Sequence, residues 1–332
     1  MSGRRKRLIS GMAALGIGAS ALAVLSLLID RAPGAEEVSL AWPEASYAWF
    51  RITALAVGVI VGSALAISGV LLQALLRNPL ASPFILGVSN GAGLGVMMAM
   101  YLSYAWRDTE LGQLGQTGPA VAGALATLAV VYMLGQRRGW LDPVSLVLIG
   151  VVVSTICGAG IMFFQHLVPT GLRGQFTTWI MGHLPQGTSG AMLLACGIVT
   201  LVALGLSMCL GRAMDAATLG DDEARSVGLS IGPLRLGMFF LAGLLAAMTV
   251  TLAGPIGFVG LIAPHAARLV LGPRHTALVP GAALCGVILV VGSHVCSRFI
   301  DVGGGHMPIG IFTALVGGPA FIWLLLSGRG QS

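Results

Sequence analysis

Twelve acidic residues, 18 Lys or Arg, six histidines, five cysteines and four tyrosines are all the ionisable side chains that this 332-residue chain carries. The densest acidic run is Asp221, Asp222 and Glu223, followed by Ala224 and Arg225. Acids in a first helical turn and a cation in the last suit the helix dipole, so these residues predict a short helix, which Gly228 then stops. On these residues alone two readings stay open: a contact for another protein, or a solvated loop helix with no partner. The remaining acids (Asp30, Glu36, Glu37, Glu44, Asp108, Glu110, Asp142, Asp215 and Asp301) fall in loops or at the ends of apolar runs, so an ion-coupled carrier has no buried carboxylate to use. Intramembrane proteolysis lacks both an HExxH helix and a pair of embedded aspartates. Nucleotide hydrolysis fails on one residue type: a P-loop needs its lysine, and the chain has Lys6 and no other. Any ATP-driven step must therefore draw on another subunit. The polar segment large enough to meet one is TLGDDEARSVGLSIGPLR, from Thr218 to Arg235. Cys157, Cys196, Cys209, Cys285 and Cys296 show neither CxxC spacing nor clustering with acids, and they read as small buried packing residues rather than a metal or disulfide site.

The elements that must position these residues are set by composition. The chain is 56% hydrophobic, 9% charged and carries 49 glycines, against about 25% charged in an ordinary soluble domain. Apolar runs at 8–29, 52–76, 85–105, 117–135, 143–167, 190–210, 233–253, 255–271, 277–297 and 308–327 predict an all-α, polytopic membrane protein of about ten transmembrane helices. The net charge of +6 does not point to nucleic acid, because the basic residues sit in short loops between the runs. With the N-terminus inside, alternation places Arg4, Arg5, Lys6, Arg7, Arg77, Arg137, Arg138, Arg212, Arg225, Arg235, Arg268, Arg274 and Arg329 inside, and Arg31, Arg51, Arg107, Arg173 and Arg298 outside. That asymmetry satisfies the positive-inside rule and puts both termini in the cytoplasm. The first run is taken as a retained span, with a cleaved signal as the alternative, since about 22 apolar residues exceed the 7–15 of a signal core. The run at 255–271 holds Pro264 between flanking glycines and is expected to be short or broken. Gly58, Gly62, Gly69, Gly87, Gly91, Gly93 and Gly95 read first as sites of close helix packing. With no repeat and no linker, one transmembrane domain over 1–332 is expected, its polar inside segment at about 212–232.

Four long stretches carry a family resemblance. SALAISGVLLQALLRNPLASPFILGVSNGAGLG (Ser63 to Gly95), LGDDEARSVGL (Leu219 to Leu229), GPIGFVGLIAPHAARLV (Gly254 to Val270) and MPIGIFTALVGGPAFIWLLL (Met307 to Leu326) resemble, in order, the signatures of the FecCD-type permeases. These are the membrane subunits of type II ATP-binding-cassette importers for ferric siderophores, haem and cobalamin. The resemblance implies two permease copies around a central path, two cytoplasmic ATPases and a periplasmic or lipoprotein binding protein, in the bacterial inner membrane. It implies a path lined mainly by the second, fifth and tenth spans and cargo specificity that resides in the binding protein. No cofactor or resident metal is expected.

Carried over by position, Leu219, Gly220, Asp221, Asp222, Glu223, Ala224, Arg225 and Gly228 would form the coupling segment that enters a cleft of the ATPase. Arg51 falls on the first arginine of the family's outer RxPR motif, while Thr53 and Ala54 replace its proline and second arginine. Arg298 falls on the arginine that closes the penultimate span. Both would dock the binding protein. His294 stands where many relatives have an acid, and His306 replaces the acid before the PIG motif. These two, with His166 and His183, are candidate path or haem-iron ligands, with a satisfied polar side chain as the alternative for each. Siderophore, haem and cobalamin stay open as cargo. The rivals are a stand-alone secondary transporter and one half of a heterodimeric permease.

Overall fold

The computed structural model describes residues 2–30, 39–107, 113–137, 139–299 and 307–328. Thirteen α-helices follow one another: α1 (Ser2–Leu28), α2 (Ala45–Leu76), α3 (Val88–Arg107), α4 (Gln113–Leu134), α5 (Pro143–Leu167), α6 (Thr170–Ile180), α7 (Gly190–Cys209), α8 (Gly211–Ala217), α9 (Asp221–Ser226), α10 (Ile231–Ala253), α11 (Val259–Leu271), α12 (His275–Phe299) and α13 (Ile309–Gly328). Two antiparallel ribbons of two-residue strands complete the set, β1 (Ile29–Asp30) with β2 (Ser39–Leu40) and β3 (Gln136–Arg137) with β4 (Trp140–Leu141). Each of the ten apolar runs coincides with a helix, because in lipid a backbone must satisfy its own polar groups. Seven helices are long and apolar enough to cross a membrane (α1, α2, α4, α5, α7, α10 and α12), while α11 and the described part of α13 are shorter. The protein is all-α and multi-pass. α3 falls outside the seven; its first turns carry Ser89, Asn90 and three glycines.

α11 matches its expectation. It has 13 residues with Pro264 inside, which rise about 20 Å, short of the roughly 30 Å of a hydrocarbon core. α2 is the opposite case: its 32 residues rise about 48 Å, so it overshoots. Its first turns expose Tyr47 and Trp49, aromatics suited to a headgroup layer. α6 was not expected. Its Thr, Gly and Arg content reads as loop, yet Leu172, Phe176 and Trp179, spaced i, i+4, i+7, bury one face, with Phe176 stacked on Trp179 at 5.9 Å between centroids. Two smaller expectations also need revision. Cys209 and Cys296 are exposed while the other three cysteines are buried. His275, just ahead of the apolar run at 277–297 and so read from the sequence as a loop residue, opens α12 and is buried.

The chain sorts into two compact units, each built from interleaved pieces, so no linker marks them. Unit 1 comprises Met1–Val70, Gly182–Arg212 and Ile256–Ser332; unit 2 comprises Leu71–Met181 and Ala213–Pro255. In unit 1, α2 and α12 touch backbone to backbone. A Cβ on Gly62 would lie 2.5 Å from the Gly286 carbonyl oxygen, and one on Gly286 only 2.1 Å from that of Gly62. Unit 2 repeats the device between α3 and α4, where a Cβ on Gly123 would lie 2.1 Å from the Gly91 oxygen. Lipid supplies no hydrophobic drive between helices, so such close approach is how they associate. Gly62, Gly69, Gly91 and Gly95 all serve it, the last two of these against α4.

Candidate functional site

The acidic run forms a helix as expected. α9 has Asp221, Asp222 and Glu223 in its first turn and Arg225 in its last. Gly220 precedes it at φ 151°, and the Glu223 carboxylate folds so close over Gly220 that a Cβ there would meet it. Gly228, left-handed at φ 81°, turns the chain away, its N–H donating to the Arg225 carbonyl while the Leu229 N–H donates to that of Ala224. Ala224 is buried. Leu219 and Val227 stand 75% and 71% exposed on either side of the helix, a pair of apolar side chains with no cover in the chain itself. Asp222 and Arg225 are a wide 3.9 Å pair and both well exposed, so their attraction is worth little.

Asp221 is different, because two arginines converge on it. The Arg77 Nη2 and the Arg235 Nη2 both donate to its Oδ1, and Arg235 also reaches Oδ2 at 3.1 Å. The Arg77 Nε donates in addition to the Ala217 carbonyl at 2.8 Å, closing the end of α8. All these residues belong to unit 2. Arg77 holds this posture at a cost. It sits just beyond α2 with φ 47°, where glycine or asparagine is usual, and a non-glycine residue there loses about 1–3 kcal/mol. The next residues are ordered to match: the Asn78 N–H donates to the Gln73 carbonyl at 3.1 Å and the Leu80 N–H to Asn78 Oδ1 at 2.9 Å. Arg235 also acts on Asp142, which caps α5 by accepting from the Ser145 hydroxyl and N–H at 2.7 and 2.8 Å. Those two bonds, then the nearby Arg137 and Arg235, hold the Asp142 carboxyl below its ordinary range. The Trp140 ring lies so tightly on Gly232 that any Cβ there would enter it, which fixes the β3–β4 ribbon against the start of α10.

Arg51 and Arg298 lie in unit 1 and are both buried, at 9% and 6% exposure. Arg51 Nη1 donates to the Leu27 carbonyl at 3.0 Å and Arg298 Nη1 to that of Ile29 at 2.8 Å. The carbonyl between them, on Leu28, accepts from the Ala41 N–H at 2.9 Å. The last carbonyls of a helix have no partner within it and carry the negative end of its dipole. The Arg51 guanidinium and the Ala41 amide meet that need for α1, and Arg298 holds the next carbonyl, the first of β1. Beside Arg51, the Thr53 hydroxyl reaches the Gln186 carbonyl at 2.7 Å.

Three of the four candidate histidines fall within the described residues. His166 is exposed in the last turn of α5, its carbonyl accepting from Arg173 Nη2. His183 is half-buried beyond α6, its Nδ1 without a hydrogen-bond partner among the described residues, and burial pushes its pKa down. His294 is buried in α12. His306 lies outside the described residues. Among the described residues, no three His, Cys, Asp or Glu side chains cluster as a metal site. Sequence reasoning missed Arg77 and Arg235 as partners of Asp221. The one available signal was Arg-Asn-Pro at the end of a long apolar helix, which marks a turn; nothing local ties it to a residue 144 positions on.

Comparison with known proteins agrees in extent. The hemin transport system permease protein HmuU of Yersinia pestis is 34% identical over 281 residues, 85% of this chain and 83% of that one. The cobalamin import system permease protein BtuC of Halobacterium salinarum is 35% identical over 275 residues, 83% of this chain and 72% of that one. A metal-chelate type ABC transporter solved in an inward-facing conformation superposes with a TM-score of 0.83 at 28% identity, covering 96% of this chain and 99% of that one. The model of the FecCD transport family matches residues 8–327, and the chain, with four signature stretches and the helical fold in agreement, belongs to that family.

Proposed function

We propose that this chain is the membrane-spanning permease of an ATP-driven importer that moves an iron chelate, haem or cobalamin across the bacterial inner membrane by alternating access. The observation that carries the reading is α9: a short acidic helix with Leu219 and Val227 bare beside it, in a chain with no P-loop lysine. Such a surface suits insertion into a cleft of another protein, and energy must come from one. Two cytoplasmic ATPases and a second permease copy complete the machine, with both termini in the cytoplasm and residues 1–332 acting as one permease domain. The coupling segment at about 212–232 is the ATPase contact, through Leu219, Gly220, Asp222, Glu223, Arg225 and the turn at Gly228, with Ala224 beneath. Catalysis is left to the partner.

On the other side of the membrane a binding protein delivers cargo. Arg51 and Arg298 would meet carboxylates on its two lobes, exchanging or sharing the carbonyls they now hold. His166, His183, His294 and His306 remain the polar groups to test along the path. Cargo is set by the delivery protein, and the path runs mainly along the second, fifth and tenth apolar runs, now α2, α5 and α13. Titration of the cognate binding protein with haem, a ferric siderophore and cobalamin, followed by uptake in proteoliposomes of permease, ATPase and binding protein, tests the reading. One of the three should bind and be taken up only with ATP. Uptake by the lone permease under a proton gradient would replace this reading with a secondary carrier, and a requirement for a second, different permease chain would make it half of a heterodimer.

A further inference from the structure

We propose that Arg77, Asp221 and Arg235 form a strut that fixes the coupling helix α9 to the end of α2 and the start of α10, so that Asp221 is a positioning residue rather than part of the ATPase contact. The inference rests on the reading of α9 as the coupling element. Three observations converge on it. Both carboxylate oxygens of Asp221 are engaged from within unit 2, and its side chain is only a third exposed, whereas that of Asp222, one residue on, is 96% exposed. A carboxylate already holding two guanidiniums has little left to offer a partner protein. Arg77 adopts a left-handed backbone that an arginine ordinarily avoids, and this aims its planar fork at both Asp221 and the Ala217 carbonyl. Strain of this kind persists only where surrounding contacts over-determine it. Arg235, 15% exposed at the side chain, completes the bridge from the first turns of α10.

The consequence is mechanical. A six-residue helix is too short to hold its orientation alone. Tied at its first residue to two long helices of 32 and 23 residues, it would pass a displacement on to both rather than swing on the glycines at 220 and 228. A planar guanidinium fork fixes direction as well as distance. The strut therefore governs how much transport each ATP yields, not how tightly the ATPase binds.

The test uses the complete transporter in proteoliposomes with its ATPase and binding protein, and as probe whichever of haem, ferric dicitrate or cyanocobalamin the wild type takes up. Arg77→Gln and Arg235→Gln should each lower uptake per ATP hydrolysed about three- to tenfold, while the amount of ATPase co-purified per permease stays at the wild-type level. Arg77→Gly removes the guanidinium and the backbone strain together, so it should fold at least as well as wild type and still show the lowered ratio. Wild-type ratios in Arg77→Gly and Arg235→Gln overturn the strut. So does loss of ATPase co-purification in either, which would make these residues part of the docking surface. ATP-independent uptake by the wild type would overturn the underlying functional reading, and the strut with it.

Discussion

Arg51 and Arg298 in unit 1 end on main-chain carbonyls at the end of α1 and at the start of β1, whereas Arg77 and Arg235 in unit 2 end on one carboxylate beside a helix of six residues. The first pair is buried and donates to carbonyl acceptors at and just beyond a helix end, so it serves the junction of α1 with β1. The second is partly open to water and made between ionised groups, so it contributes little to stability, on the order of 1 kcal/mol per pair, and its value is directional. The same residue type thus caps a helix in one place and steers one in the other. What separates them is whether the acceptor is a peptide or a carboxylate, and how wet the site is.

The largest effect should come from Glu223→Arg, which reverses charge in the first turn of α9 and at the proposed ATPase contact. ATP-driven uptake in proteoliposomes should fall by more than about tenfold, the factor for a 1.4 kcal/mol loss; full coupled uptake would remove α9 from the contact. Next, Arg298→Met should lower unfolding free energy by about 1–3 kcal/mol, the cost of leaving a buried acceptor unmade, in thermal unfolding of the detergent-solubilised chain. That loss should be indifferent to salt. A loss that shrinks as salt rises would mean that Arg298 works by charge, as the Asp221 cluster does. Asp142→Ala, which removes the α5 cap near Arg235, should cost about 1 kcal/mol at neutral pH. The Asp142 carboxyl is held below its ordinary value of 3.8 in the folded chain, so its contribution is complete above that pH and fades as pH falls through the folded value. Wild type and variant should therefore converge only in strong acid.

Much of this was legible in the residues. Ten apolar runs became helices because a spanning backbone has few other choices, and 13 residues around Pro264 were readable as too short. Three acids, one arginine and Gly228 announced α9. α6 was obscured because an 11-residue helix among Thr, Gly and Arg shows only three apolar positions on one face. The roles of Arg51, Arg77, Arg235 and Arg298 were hidden for a different reason. Charge asymmetry assigns an arginine to a side of the membrane, but not the group its side chain meets, and Arg298 meets a carbonyl 269 residues away in the chain. The interleaving of the two units is invisible for the same reason, since α2 contributes to both.

The chain should transport only when a partner protein seated on α9 hydrolyses ATP. Proteoliposomes holding the purified permease, with haem, ferric dicitrate or cyanocobalamin outside, report on it directly when compared with and without the partner ATPase, binding protein and ATP. Without the ATPase, the account predicts neither ATP hydrolysis nor cargo uptake, even under an imposed proton gradient, and with all components it predicts uptake that stops when ATP is withheld. Uptake at a comparable rate by the permease alone would contradict it.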